Sequence, residues 1–567
     1  MKKLINDAGR VVPEMLAALV RLQPGLRLLP DAMAVVRDGP TGEVAVLSGG
    51  GAGHEPAHAG YVGPGLLRGA VSGDVFTSPS TDAVLDAIRA VGGPAGVLLV
   101  VKNYTGDRLN FGLAAELARA EGIACEMVVV ADDVALAGAG RSAGRRGIAG
   151  TVLVHKVAGA AAAAGLALPA VKAEAERAAA SLASIGVGLS VCTVPAAGTP
   201  GHQLGEDEIE MGLGIHGEAG VRRMPIRPVG ELVDGMCGRL VGELGLEPGA
   251  RIALLVNDLG ATPPSELLIA AGEALRVFEA AGAVVERCWC GSFLTALDMA
   301  GCSLSAMRVD DARLERLDAE AFAAGWQQGV KPAPASVVAL RRRRGTDEAS
   351  AAEPGGLAGS RMETVLRAVA EALLGSEAEL TRLDQAVGDG DLGISLSRGA
   401  RAMLAELPSY PAAPAACLER LAGTLRRALG GTSGPLYAVF LLRAAASLSA
   451  TPGGRSGLDL AGWAEAFRAG VQGIAELGDA EPGDRTMLDA LVPAVQALAE
   501  AAESGASVPA ALADAVRAAR EGAHSTSGMV PRRGRSSYLA DQVGDTPDPG
   551  AVAVWLWLEA IGRALAG

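Results

Sequence analysis

Aromatic residues are scarce: Phe, Tyr and Trp make up 3% of the 567 residues, and the apolar half of the chain is supplied mainly by Ala, Val, Leu and Gly. That composition excludes a disordered chain and points to a tightly packed α/β or α protein. Positive charge is also short, with 50 Lys and Arg against 64 Asp and Glu, a formal net charge of −14. A nucleic-acid surface is therefore not its main business, and an anionic ligand must be held by local donors or a metal. Cysteine is sparse. The seven are scattered, with Cys288 and Cys290 as the close pair and no C-x-x-C or Cys/His ladder. Reduced thiols in a cytoplasmic protein are expected. The longest uncharged apolar run, 157–171, is mostly Ala. It falls short of the roughly 18 to 20 residues a membrane span needs. Lys2 and Lys3 do not open a signal peptide, because Asn6, Asp7 and Arg10 interrupt the apolar segment it would require. The G-K-[ST] of a P-loop is missing altogether.

A chain this long exceeds one hydrophobic core, so two to four compact units are expected. From residue 1 to about 330, short β-branched runs (44–47, 97–101, 127–130, 252–256) alternate with Ala/Leu-rich stretches. Several end in Gly- or Asp-rich turns, as in an α/β unit with functional loops at its strand ends. A second lobe of this unit is expected from about Gly249. Residues 331–360 carry Pro332, Pro334, four arginines at 341–344 and a polar Gly/Ala stretch, which together read as a linker. Beyond it strand signals nearly vanish. Apolar residues recur at three- and four-residue spacing over 362–374, 417–429, 436–448, 458–475, 486–502, 508–523 and 551–565, predicting an all-helical unit over 361–567.

The breaks in that helical half carry its chemistry. LDQAVGDGDLG gathers Asp384, Asp389 and Asp391 within eight residues of small, unhelical composition. Such a turn suits a divalent cation carrying phosphate, or is simply a solvated acidic loop. An EF-hand is excluded because Gly393 stands where its third oxygen ligand belongs. Four more Gly-containing breaks, GGTSG, GDRTM, GRSSY and DPG, occur in the same unit. Backbone N–H groups at turns that lead into helices cradle phosphate.

Six histidines occur, at 54, 58, 155, 202, 216 and 524. His54 lies in SGGGAGHEPAH directly after the 44–47 run, and His216 in GLGIHGEAG, flanked by glycine on both sides. Isolated in Gly-rich loops, both are candidates for chemistry instead of packing. HEPAH matches the zincin pattern, but Pro56 breaks the helix that pattern needs, so His58 reads as a packing or supporting residue. Lys102 and Asp107, in VKNYTGDRLNF after the 97–101 run, sit where ligands of α/β sheets bind, or form a surface ion pair. Neutral imidazole can attack a carbonyl carbon, and a carboxylate with a second imidazole can take a hydroxyl proton.

Taken together, GGGAGHEPAHAGY, GDVFTSPS at 73–80, VKNYTGDRLNF, RGIAGTVLVHKVAGA at 146–160 and GLGIHGEAG resemble the substrate half of the dihydroxyacetone kinase family. VGDGDLG, GGTSGPLY, GDRTMLDAL, GRSSY and DPGA resemble its nucleotide half, in the form that fuses both in one chain. The likeness covers essentially everything but the linker. It implies a two-lobed α/β substrate domain followed by an all-α helix-barrel nucleotide domain. It implies that His216 holds a short ketose as a covalent hemiaminal. Gly51, Ala52, Gly53, His54, Lys102 and Asp107 would bind the substrate, with His54 and Asp107 as acid/base groups. Asp384, Asp389 and Asp391 would hold Mg²⁺ on ATP. Asp389, Gly390, Asp391, Leu392, Thr432, Ser433, Thr486, Met487, Asp548, Pro549 and Gly550 would line the nucleotide.

The same resemblance implies phosphorylation of dihydroxyacetone, glyceraldehyde or erythrulose in a cytoplasmic homodimer. Cleavage of FAD to cyclic FMN is a second activity within the family, and a ketose sensor a non-catalytic one. A sensor would have lost catalytic residues, and His54, Asp107, His216 and the three aspartates are all present. With both halves in one chain and no phosphohistidine domain, ATP is favoured over phosphoenolpyruvate. Ile394, Ser395, Ser536 and His524 depart from the commoner pattern and leave the acceptor open.

Overall fold

In the computed structural model the described residues are 2–39, 42–135, 144–200, 203–218, 220–336, 357–450, 459–533, 536–537 and 544–566. They divide into two units, Met1–Val337 and Val338–Gly567. The division falls within the expected linker, of which 331–336 lack regular structure and 337–356, with the four arginines, lie outside the described residues. His202 and most of GRSSY lie outside them too.

The first unit holds two six-stranded sheets. One is formed by β1 (Leu26–Leu29), β2 (Ala34–Arg37), β3 (Ala45–Ala52), β4 (Gly69–Val75), β5 (Val97–Lys102) and β6 (Cys125–Val130), in the order β1-β2-β4-β3-β5-β6. β3 runs parallel to both β4 and β5. The chain continues to β4 on one side of β3 and to β5 on the other, and the carboxyl ends of strands at such a reversal are where ligands of α/β sheets bind. Both strands are buried along their whole length, which accounts for the continuous apolar run of the 97–101 segment.

The other sheet uses β7 (Leu182–Gly188), β8 (Glu208–Met211), β9 (Arg222–Pro225), β10 (Arg251–Asp258), β11 (Val284–Gly291) and β12 (Gly301–Arg308), in the order β11-β10-β12-β7-β8-β9. The second lobe thus draws on the chain from Leu182, well ahead of the Gly249 expected. β7 reads LASIGVG, a strand of mostly small residues whose registry with β12 across Gly188 and Gly186 is set by tertiary pairing and not by a β-branched run.

Helices α1 (Val11–Leu22), α2 (Thr81–Val91), α3 (Thr105–Ala120), α4 (Thr151–Ala163), α5 (Leu168–Ala180), α6 (Val229–Leu244), α7 (Pro264–Ala280) and α8 (Asp311–Asp318) cover the sheets. α4 is buried on every side, Thr151 through Ala162, within an apolar cluster that takes residues from both sheets. Its VLVHKVAGAAAA sequence, apolar all round and small at its end, suits a helix with no solvent face. The apolar run at 157–171 is the end of this core helix and the start of α5.

The second unit is all helical in its described residues: α9 (Arg361–Gly375), α10 (Glu377–Val387), α11 (Leu392–Glu406), α12 (Pro414–Ala428), α13 (Ser433–Ala450), α14 (Leu460–Gly478), α15 (Leu488–Glu503), α16 (Val508–Ser525) and α17 (Pro549–Ala566). From α11 onward each helix packs on the next, and α17 returns to α9, closing a ring around one apolar core. Close approach is bought by small residues: a β-carbon at Gly470 would stand 2.6 Å from the Phe440 ring. Asp384 was expected in an unhelical turn and instead occupies the last turns of α10. α10 is only eleven residues long, and its apolar face of Leu380, Leu383 and Val387 is too brief to register as a periodic run.

Candidate functional sites

In the first unit the carboxyl end of β3 is a run of glycines that lets other chain segments touch the backbone. A β-carbon on Gly51 would lie 2.6 Å from Thr77 N and 2.8 Å from Phe76 Cα. On Gly50 it would lie 3.3 Å from Lys102 Nζ and 3.4 Å from Asp107 Oδ2. The strand end, the last residue of β5 and the first turn of α3 therefore share one wall. Asp107 accepts a short hydrogen bond from Ser78, on the loop after β4. Lys102 is wholly buried, with no hydrogen-bond partner for its Nζ among the described residues. Burial pushes its ammonium down, opposed by the carboxylates of Asp107 and Glu218.

His54 and His216 come together from different sheets, their rings 4.8 Å apart edge to face. Phe76 stacks on His54 at 5.1 Å and meets His216 at 5.2 Å, and Tyr104 closes on His216 at 4.6 Å. The turn carrying His54 is not helical, so HEPAH is no zincin site. His58 instead lies beneath, buried beside Ser48 and 5.2 Å from the ring of His155.

Each imidazole at the site is held in one tautomer by its neighbour. His54 Nδ1 is 2.8 Å from the Thr295 carbonyl, which can only accept, so Nδ1 carries the proton and the buried, unpartnered Nε2 keeps its lone pair. Burial pushes the His54 imidazolium well below the usual histidine range, and the charge on Lys102 adds to this. His216 Nδ1 is 2.9 Å from Glu218 Oε1, while Glu218 Oε2 accepts the His216 backbone N–H at 3.1 Å. Burial works against the Glu218 carboxylate, but the His216 hydrogen bond and charge, then a backbone hydrogen bond, and last the Arg146 charge, outweigh it and bring it down to about 2. A stable carboxylate on Nδ1 leaves His216 Nε2 as a nucleophilic lone pair.

In the second unit, four of the Gly-containing breaks end on helix N-termini: Asp391 precedes α11, Ser433 opens α13, Met487 precedes α15 and Pro549 opens α17. Ser395 Oγ accepts from Gly430 N at 3.1 Å, tying the first break to the second. Asp489 receives the N–H groups of Gly483 and Thr486 at 2.5 and 2.8 Å. Gly550 lies against Met487, where an added β-carbon would stand 3.7 Å from Met487 Cβ. Leu392 N donates to Asp384 Oδ2 at 3.0 Å. His524 is placed against Trp555 on α17, with ring centroids 5.6 Å apart.

Asp384, Asp389 and Asp391 bring one oxygen each within 4.8 Å of one another. Three converging carboxylates at a helix N-terminus fit a hard divalent cation with phosphate oxygens completing its shell. Asp548 stands at the start of α17, and burial raises its carboxyl to about 6, opposed by the Ala551 N–H and the Arg485 charge, with the Asp489 and Asp384 charges adding.

The comparisons with known proteins fall on the same two units. The Dak1 domain family matches residues 17–325 and the DAK2 domain family residues 386–563. Over 99% of this chain and 98% of its own length, human triokinase/FMN cyclase is 44% identical. The chain belongs to the dihydroxyacetone kinase family. D-erythrulose kinase of Mycolicibacterium smegmatis is 37% identical over 98% of this chain and 97% of its own. The dihydroxyacetone kinase of C. freundii, solved with AMP-PNP and Mg²⁺, superposes with a TM-score of 0.65 at 34% identity, covering 99% of each chain. As a member of this family the chain is a kinase. The order of an α/β unit before an all-helical one is likewise the family's.

Several residues at these sites carry no role in the sequence reading: Phe76, Ser78, Tyr104, Glu218, Arg485 and Asp489. All lie inside the family-like segments. Glu218 had a legible signal, a carboxylate two residues after a histidine in a glycine turn; the aromatic walls had none short of the fold.

Proposed function

We propose that this kinase phosphorylates a terminal hydroxyl of a short ketose, dihydroxyacetone first, while the ketose carbonyl is bonded to His216. The observation that carries the reading is the pair of facing imidazoles, each with Nδ1 occupied and with no hydrogen bond to Nε2 among the described residues. The His216 Nε2 pair adds to the carbonyl carbon, the carbonyl π pair moves onto oxygen, that oxygen takes a proton from solvent, and the imidazole gives up its Nδ1 proton to Glu218. The tetrahedral product is a hemiaminal. A polyol such as glycerol has no electrophilic carbon and is refused. His54 Nε2 and Asp107 are the acceptors for the proton of the attacking hydroxyl, and Lys102 with the Gly51–Gly53 backbone holds the remaining oxygens.

On the nucleotide side, Asp384, Asp389 and Asp391 hold Mg²⁺, whose charge offsets that of the transferring phosphoryl group. The N–H groups near Thr432, Ser433 and Thr486 orient the phosphates, and Met487 with the Asp548–Pro549–Gly550 turn lines the nucleotide. Tethering the acceptor makes transfer a matter of alignment, the largest saving such a reaction offers. A homodimer belongs to the same proposal and would sediment at twice the 56.9 kDa chain mass.

A coupled ATPase screen over dihydroxyacetone, glyceraldehyde, both erythruloses and glycerol tests the substrate. Dihydroxyacetone should lead in kcat/KM with glycerol inert; an erythrulose in first place would reassign the chain to tetruloses. The name of the 44% identical human relative favours one further reading, cleavage of FAD to cyclic FMN at the nucleotide unit. That activity should survive His216→Ala, which abolishes ketose phosphorylation.

A further inference from the structure

The segment around 132–150 holds buried charges that the reaction as described leaves unused. Asp132 accepts the N–H groups of Ile148 and Gly150 at 2.8 and 3.0 Å and so fixes the turn that enters α4. Asp133 pairs with Arg146, Nε to Oδ2 at 2.7 Å and Nη2 to Oδ2 at 2.6 Å, with side chains 2% and 10% exposed. Arg146 Nη2 also donates to the Gly212 carbonyl at 2.7 Å, at the start of the loop that carries His216. A β-carbon on Gly214 would collide with both the Arg146 guanidinium and the Glu218 carboxylate. These two charges therefore flank the same glycine, and Glu218 is the group on His216 Nδ1.

A buried ion pair is weak evidence for stability, because desolvation consumes most of the Coulomb gain. What it provides here is direction. The loop is glycine at 212, 214, 217 and 220, so its own backbone does little to fix a side chain. We propose that Arg146, held by Asp133, is a positioning residue for the reaction: it anchors the Gly212 end of the loop and fixes Glu218 against His216 Nδ1, so that Nε2 alone faces the ketose. The planar guanidinium is required, since it bonds Asp133 and the Gly212 carbonyl at once while its charge faces Glu218; an ammonium is a single point of charge. The far end of the loop is held separately, by Gly220 N on Glu210 Oε1 at 2.8 Å.

This inference rests on His216 being the nucleophile, and its test separates the two. Full-length wild type, Arg146→Met, Arg146→Lys and the double variant Asp133→Asn/Arg146→Met are mixed with dihydroxyacetone labelled with ¹³C at its carbonyl. Adduct formation, kcat and KM are measured, with amide-exchange protection of β3 and β5 as the folding control for this unit. The double variant leaves no unpaired buried charge and decides the matter if Arg146→Met does not fold. Adduct formation and kcat are expected to fall about 10²-fold in the Met variants, the cost of misplacing a reacting group by about 1 Å. Arg146→Lys should recover only part of this. Long-range ¹⁵N spectra of the histidines should show His216 losing its fixed Nδ1–H tautomer. Adduct in wild type, with unchanged rates and tautomer in the double variant, overturns this inference alone; no adduct in wild type overturns it together with the reading beneath it.

Discussion

Acidification should weaken the substrate unit by an amount that can be worked from its buried histidines. His54, His58 and His155 are all buried. Burial pushes each down, His54 and His58 well below the usual range and His155 to about 3, with the Lys102 charge adding in every case. Below pH 6.5 the unfolded chain binds protons that the fold refuses, so stability falls as pH falls. Each group contributes about 1.4 kcal/mol per pH unit in that range. From about pH 7.5 to about pH 5.5 the three together cost about 4 kcal/mol. Asp132 acts with the opposite sign: burial raises its carboxyl to about 6, so the fold takes up a proton there first. That returns under about 1 kcal/mol and leaves a net loss of about 3 kcal/mol. The slowest-exchanging amides of β3 and β5 report global opening of this unit. After correction for intrinsic rates, their protection should drop by about 10²-fold between the two pH values. His155→Gln, which cannot titrate, should reduce the net pH effect by about two fifths. Protection that does not change would mean that at least two of these imidazoles are charged in the fold, and would remove the basis for a neutral His54 base.

Two further perturbations address the sites separately. Asp389→Asn is expected to lower ATP turnover by about 10²-fold or more while leaving ketone adduct formation untouched; simultaneous loss of both would contradict independent sites on the two units. Gly51→Ala places a β-carbon 2.6 Å from Thr77 N and 2.8 Å from Phe76 Cα. Those are backbone atoms that cannot swing aside, so thermal unfolding of the substrate unit should show a loss of about 1–3 kcal/mol. KM for the ketose should rise as Phe76 is displaced from the two imidazoles, and an unchanged KM would separate the glycine run from the site.

The functional halves were legible in the sequence because each concentrates rare residue types in glycine-rich breaks: histidines after a β-branched run, aspartates between helices. Periodicity located the long helices α12 to α17, where apolar stripes recur over several turns. It missed α10, whose stripe is three residues, and also α11, and therefore put Asp384 in a turn when it rides on a helix. β7 was missed for the complementary reason, since pairing with β12 and β8 makes a strand of residues that carry little β preference alone. The partners that set reactivity were the least visible. Thr295 acts on His54 through its backbone carbonyl across 241 residues, and no side-chain pattern encodes that. Arg146 reaches the His216 loop across 66 residues, which only the meeting of the two sheets brings about.

The central claim is that His216 Nε2 bonds to the ketose carbonyl carbon, and ¹³C spectroscopy of carbonyl-labelled dihydroxyacetone bound to the protein addresses it directly. Wild type should replace the trigonal carbonyl resonance by that of a tetrahedral carbon bonded to nitrogen, coupled to ¹⁵N when the histidines are labelled, and His216→Ala should show only free ketone and its hydrate. A bound ketose that keeps a trigonal carbonyl in wild type, or a tetrahedral adduct that persists in His216→Ala, would contradict the account.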